Sequence, residues 1–155
     1  MLRSLGTYNI AVVVALMVTI MPSYAQTEKD LIRSGNKEYE AGKFKEAEDS
    51  YRAAIDLNTN STEGSFNLGD AAYKQKNYDD AINQFELLSK KVGTPEQVAQ
   101  SYHNLGNSYL RKKEYEKSID AYKQALRNNP KDMDTGYNLA YAQAKLKQQQ
   151  EQQQE

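Results

Sequence analysis

The sequence predicts an all-α chain assembled from a repeated pair of helices. Three observations carry that prediction. A glycine recurs at Gly35, Gly69 and Gly106, spaced by 34 and then 37 residues. Each glycine is followed by an aromatic nine residues on (Phe44, Tyr78, Tyr115). A small residue comes three further on (Ala47, Ala81, Ser118), and a second aromatic four beyond that (Tyr51, Phe85, Tyr122). Between glycine and first aromatic lie the polar segments "EAGKF", "KQKNY" and "RKKEY", the right length to turn one helix back on the next.

The elements follow in order. The first 25 residues stand apart: Arg3, an apolar run from Ile10 to Met21 interrupted only by Thr19, then Pro22 and "SYA" before Gln26. A basic start, a short apolar stretch and small residues around Ala25 predict a secretory signal cleaved after Ala25, with an uncleaved N-terminal membrane anchor as the alternative. That apolar stretch is shorter than the roughly 20 residues needed to span a bilayer. Export would place the mature chain in the periplasm, with no stable membrane insertion after cleavage.

Apolar residues then recur at helical spacing, as in Leu105, Tyr109, Ile119, Tyr122 and Leu126. Small residues stand where two helices must approach closely, and a larger side chain there would overpack the contact. Lys74, Lys76, Arg111 and Lys113 are expected in the last turns of the first helices, opposing the negative end of the dipole. Asp79 and Asp80 are expected to open a helix, where the same dipole favours them over a metal-binding role. Gly93 reads as a helix stop. Thr94, Pro95 and Gln97 read as the cap, first residue and capping-box partner of the next helix.

A period of 34 residues with this pattern resembles the tetratricopeptide repeat (TPR). The resemblance covers residues 28 to 146 and implies a right-handed TPR solenoid. Repeats are expected at 28–61, 62–98 and 99–132, followed by a capping helix over 133–147 and a polar tail over 148–155, disordered or a frayed helix. In the cap, Tyr137, Leu139, Ala140 and Leu146 are expected to face the repeats. The resemblance also implies a concave groove lined by the first helix of each pair. Its candidate partner-binding residues are Asn36, Tyr39, Phe66, Asn67, Asp70, Tyr73, His103, Asn104, Asn107, Arg111, Tyr137, Asn138 and Tyr141, with Ile32 and Leu110 at further groove positions. Aromatic rings give contact area at small entropic cost, and carboxamides both donate to and accept from a peptide backbone. A competing reading gives Asn67, Asn104 and Asn138 the task of supporting the repeat.

Some TPR domains hold acidic chaperone C-termini in a clamp of three cations and two asparagines. Asn36 and Asn67 match the asparagines, but Ile32, Gln100 and Asn104 stand where the cations belong. A clamp without its charge-assisted bonds loses its affinity, so that specificity is not expected.

Composition excludes much else. The chain has no cysteine and a single histidine, His103, and the net charge is −1 with the signs interspersed. Thiolate chemistry is therefore absent, a nucleic-acid-binding face is not expected, and neither catalysis nor a cofactor or metal is expected. Twelve tyrosines suit peptide and glycan alike, since sugars also stack on rings, and the absence of tryptophan tilts the groove toward protein partners. The closing segment "NNPKDMDTGYNLAYAQAKLKQQQEQQQE" is similar to the end of the BatC-like TPR proteins of bacterial Bat aerotolerance operons. That similarity implies a periplasmic scaffold for von Willebrand A-domain membrane proteins, linked to envelope stress. The alternative is an accessory factor of a secretion or wall-handling machine. Oligomeric state is not legible in the sequence.

Overall fold

The computed structural model describes residues 26–91 and 93–154. The expected signal over residues 1–25 lies outside the described residues. Seven helices follow in order among those described: α1 (Glu28–Glu40), α2 (Phe44–Leu57), α3 (Thr62–Lys74), α4 (Tyr78–Ser89), α5 (Pro95–Arg111), α6 (Tyr115–Asn128) and α7 (Met133–Gln152). Each packs on its neighbour in the chain, and α1 also touches α3, α3 touches α5, and α5 touches α7. The odd-numbered helices therefore form one continuous wall.

The odd helices begin on side-chain caps. Thr27 and Asp30 make a reciprocal capping box, as do Thr94 and Gln97 with Pro95 at the first position. Ser61 accepts from the Gly64 amide and Asp132 from the Thr135 amide. These bonds satisfy amides that have no partner within their own helix. The even helices carry no such cap. They start from tight turns, each closed by a six-residue backbone bond: Lys43 N to Glu38 O, Asn77 N to Ala72 O, Glu114 N to Tyr109 O.

Those turns correct one expectation. Lys76 and Lys113 do not lie in the last turn of a helix. They occupy the left-handed region at φ 64° and 62°, where the first turn has Gly42 at 74°. A side chain there is strained, and glycine is not. Lys76→Gly and Lys113→Gly are each expected to raise stability by about 0.5–1 kcal/mol in urea unfolding, net of the extra freedom glycine gives the unfolded chain.

The extra residues before the third repeat lengthen α5. It has 17 residues where α1 and α3 have 13, and the added turn is at its start. Gly93 is not the helix stop: α4 ends at Ser89 with Lys90 as its C-cap, and Gly93 lies in the linker.

The repeating glycines explain the pairing of helices. A Cβ on Gly35 would stand 2.5 Å from the Tyr51 ring, one on Gly69 2.8 Å from Phe85, and one on Gly106 2.5 Å from Tyr122. Each ring is buried against its glycine. Leu88, at a position that is small in the other repeats, is buried beside Phe85 and Leu105 in the central core. Between the first two pairs, the buried Glu48 carboxylate joins Arg52 on its own helix to Gln75 across the stack.

At the closing end, the expected packing side of α7 is partly wrong. Tyr137 is 74% exposed and Ala140 is exposed as well. Thr135 and Ala142 are the fully buried residues, and Leu139 and Leu146 pack with Ala142 on Ile119 and Tyr122. No second helix of a fourth pair follows among the described residues. The helix runs to Gln152, and Gln148, Gln150 and Glu151 are exposed.

Candidate functional site

The odd-helix wall carries a ladder of side-chain bonds. Asn67 donates to Asn36 Oδ1 at 3.1 Å, Asn104 to Asp70 Oδ1 at 3.0 Å, and Asn138 to Asn107 Oδ1 at 3.2 Å. Each rung ties one repeat to the next. A tyrosine from the paired helix adds a second donor in two of the three rungs. Tyr51 reaches Asn36 Oδ1 at 2.8 Å and Tyr122 reaches Asn107 Oδ1 at 2.7 Å. In the middle rung, the tyrosine is replaced by Phe85 and the asparagine by Asp70, so that second bond is missing.

Thus Asn36, Asn67, Asn104, Asn107 and Asn138 are all engaged in holding repeats together. Asn36 and Asn107 commit their oxygens, and the other three commit their amide nitrogens. The remaining polar atoms of each are what a ligand can use.

Burial pushes the Asp70 carboxyl up to about 6, opposed by the charge of Lys74. A folded value above the ordinary 3.8 means that the native state binds this proton more tightly than the unfolded chain. The contribution of Asp70 to stability therefore increases as pH falls from 7 through 6 toward 4, and is least favourable above pH 6. Asp70→Asn is expected to be more stable than the parent by roughly 1–2 kcal/mol at pH 7.5, allowing for partial exposure, with the difference vanishing near pH 4. Urea unfolding of both chains across that range checks it.

The aromatic residues line recesses along the wall. Tyr39 meets Phe44 edge-on at 5.2 Å, Phe66 meets Phe85 at 5.7 Å, and Tyr73 meets Tyr78 at 5.4 Å. One recess of about 300 Å³ is bounded by Asn36, Tyr39, Tyr51, Asn67 and Asp70. The next, about 230 Å³, shares Tyr39 and Asp70 and continues to Tyr73, Lys74 and Asn107. A third, about 240 Å³, lies between Phe66, Gln100, His103, Asp132 and Asp134. Arg111 stands over the Tyr78 ring and donates to its hydroxyl at 3.2 Å, at the rim. Tyr137 and Tyr141 extend the wall, exposed, with Lys145 over the Tyr141 ring.

Two expected groove residues are engaged with the core, one within it and one half-buried against it. Ile32 is buried with Leu31 and Ala54, and Leu110 packs against Ile119 and Tyr122. His103 has a structural tie as well as a groove edge. Its Nδ1 lies 2.6 Å from the buried Thr135 hydroxyl, whose own proton goes to Asp132 at 2.6 Å. With that proton committed, Nδ1 must be the donor. Burial holds the imidazole below its usual value, against the pull of Asp132 and Asp134. Lys112 and Asp79 pair across the stack. No group of three or more His, Asp or Glu side chains suited to a metal occurs among the described residues.

The sequence offered a repeat-supporting role for Asn67, Asn104 and Asn138 as one of two readings, but not their acceptors Asn36, Asp70 and Asn107. The signal for the ladder was there, in the Asn/Asp/Asn set at 36, 70 and 107 and the Asn set at 67, 104 and 138.

Models of the tetratricopeptide repeat match residues 32–91 and 99–132, together more than half of the chain. The protein belongs to the tetratricopeptide repeat family. It is 32% identical over 100 residues to the Hsp70-Hsp90 organising protein of Plasmodium falciparum, covering 59% of this chain and 17% of that protein. Among solved structures it resembles the TPR2AB domain of yeast Sti1 in its pHSP90 complex. That match has TM-score 0.71 and 24% identity over 79% of this chain and 48% of the other. It also resembles the first TPR of Spaghetti (RPAP3) bound to the HSP90 peptide SRMEEVD, at TM-score 0.68 and 21% identity, over 78% of this chain and 94% of that one. The Sgt2 TPR domain of Aspergillus fumigatus gives TM-score 0.72 and 17% identity, over 83% and 86%. These identities establish the fold, a right-handed TPR solenoid. The chain spans about a sixth of the organising protein and about half of the Sti1 chain.

Proposed function

We propose that this protein is a non-catalytic scaffold whose odd-helix wall holds an extended peptide or a helix of a protein partner. The observation that carries the reading is the continuous row of recesses from Asn36 to Asp134, walled by Tyr39, Phe66 and Tyr73. Half-buried rings already fixed by neighbouring rings lose little freedom on binding. The ladder holds the wall rigid between them. The Spaghetti domain shows the same fold with a peptide bound.

The ligand here differs from that acidic peptide. Ile32 is buried, Asn104 is committed to Asp70, and Gln100 is neutral, so no cation stands at the clamp positions. Asp70, Asp132 and Asp134 line the recesses instead.

For the cellular setting we infer export to the periplasm, supported by the apolar run from Ile10 to Met21 and "SYA" before Gln26. A Bat-type assembly with A-domain membrane proteins is the narrower proposal. It rests on the closing segment alone, and the relatives described above do not include such a protein.

Affinity capture from envelope extract tests the groove. Tyr73→Ala/Tyr141→Ala should lose partners that the parent retains, while Leu57→Ala/Leu87→Ala, on exposed residues outside the recesses of the wall, should not. Equal partner sets from all three chains at equal folding would defeat the assignment.

A further inference from the structure

We propose that Asp70, between Tyr39 and Tyr73, is a subsite for a basic side chain, a lysine or arginine, of the peptide held in the groove. This rests on the groove reading above and specifies its ligand. Three observations support it, beginning with the middle rung. Asp70 occupies the position where Asn36 and Asn107 each accept two bonds, but it receives only the one from Asn104. The donor missing at this rung is the hydroxyl that Phe85 lacks. Asp70 Oδ2 accepts no bond among the described residues and is not sealed in the core. Second, Asp70 is shared by two adjoining recesses, so a side chain entering either one meets it. Tyr39 bounds both recesses and Tyr73 the second. Aromatic faces beside a carboxylate suit an alkylammonium or guanidinium group, whose stem packs on the rings while its charge meets the acid. Third, the charge of the wall agrees. Glu40 stands beside the first recess and Asp132 and Asp134 beside the third, against Lys74 in the second and Arg111 at the rim, where its guanidinium donates to the Tyr78 hydroxyl.

The upward shift of the Asp70 carboxyl to about 6 fits this picture: in the free protein, burial outweighs anything that stabilises its charge. A bound cation would supply that stabilisation.

The test uses the full chain and immobilised short peptides of randomised sequence in three matched sets. One central residue is Lys or Arg in the first set, norleucine in the second and Glu in the third. The parent chain should bind the basic set about tenfold more tightly than the norleucine set, and the Glu set most weakly. Asp70→Asn should remove that preference. Phe85→Tyr should shrink it as well, because its hydroxyl would reach Asp70 as Tyr51 and Tyr122 reach their partners, and this variant leaves the charge in place. A basic preference that survives Asp70→Asn overturns the subsite. So does equal binding of all sets that Tyr73→Ala/Tyr141→Ala abolishes, an outcome that leaves the groove itself standing. Binding of no set by the parent overturns both.

Discussion

Tyr122→Ala is expected to destabilise the protein by about 3–5 kcal/mol. The ring is fully buried, lies against Gly106 and joins Ile119 and Ala142 in the closing core. Its removal opens a cavity that the backbone of Gly106 has no side chain to fill. It also strips Asn107 of a donor and loosens the rung on which Asn138 depends. Tyr122→Phe keeps the packing and loses the hydroxyl bond, so about 1 kcal/mol is expected. Tyr141→Ala, at 46% exposure, should move stability by less than about 0.5 kcal/mol. Urea unfolding followed by circular dichroism measures all three. A loss below about 1 kcal/mol for Tyr122→Ala would mean that the ring-on-glycine contact does not hold the pair together.

The second large effect is expected on removing α7. A chain ending at Pro130 exposes Ile119, Tyr122 and Leu110 and deprives His103 of Thr135. In a stacked repeat, stability is carried by neighbouring interfaces, and the last pair has only this one beyond it. Loss of roughly 3 kcal/mol should lower the melting midpoint by about 10–20 °C. A chain ending at Lys147 keeps Thr135, Leu139, Ala142 and Leu146 and should melt close to the parent. If the two truncations melt alike, α7 is not a cap.

Much of the fold was legible because its rules are local. Glycine and aromatic spacing fixed the helix pairs, since a buried ring needs a missing Cβ opposite it. The capping box at Thr94 and Gln97 was readable for the same reason: three residues decide it. What escaped the sequence reading depends on backbone angles or on distant partners. Lys76 and Lys113 look like ordinary cations at a helix end, and nothing in their type announces a left-handed φ. Tyr137 and Ala140 follow the repeat pattern, but among the described residues no second helix packs over Ala140, which is exposed. The positions on the odd-helix wall were legible, yet the bonds that most of them make were not. Asn36 and Asn107 read as ligand contacts, and Asn67 and Asn138 as either ligand contacts or supports of the repeat, until their partners across 15 to 31 residues are seen. Asp70 stands out only after the other two rungs show what it lacks.

The central claim is that the odd-helix wall, and not the opposite surface, meets the partner. A photo-crosslinking amino acid placed at Tyr73 and, in a separate chain, at Leu87 tests it in the cells that make the protein. Adducts with partner proteins from position 73 and none from position 87 are predicted. Adducts from position 87 alone, or from neither position, would contradict the account.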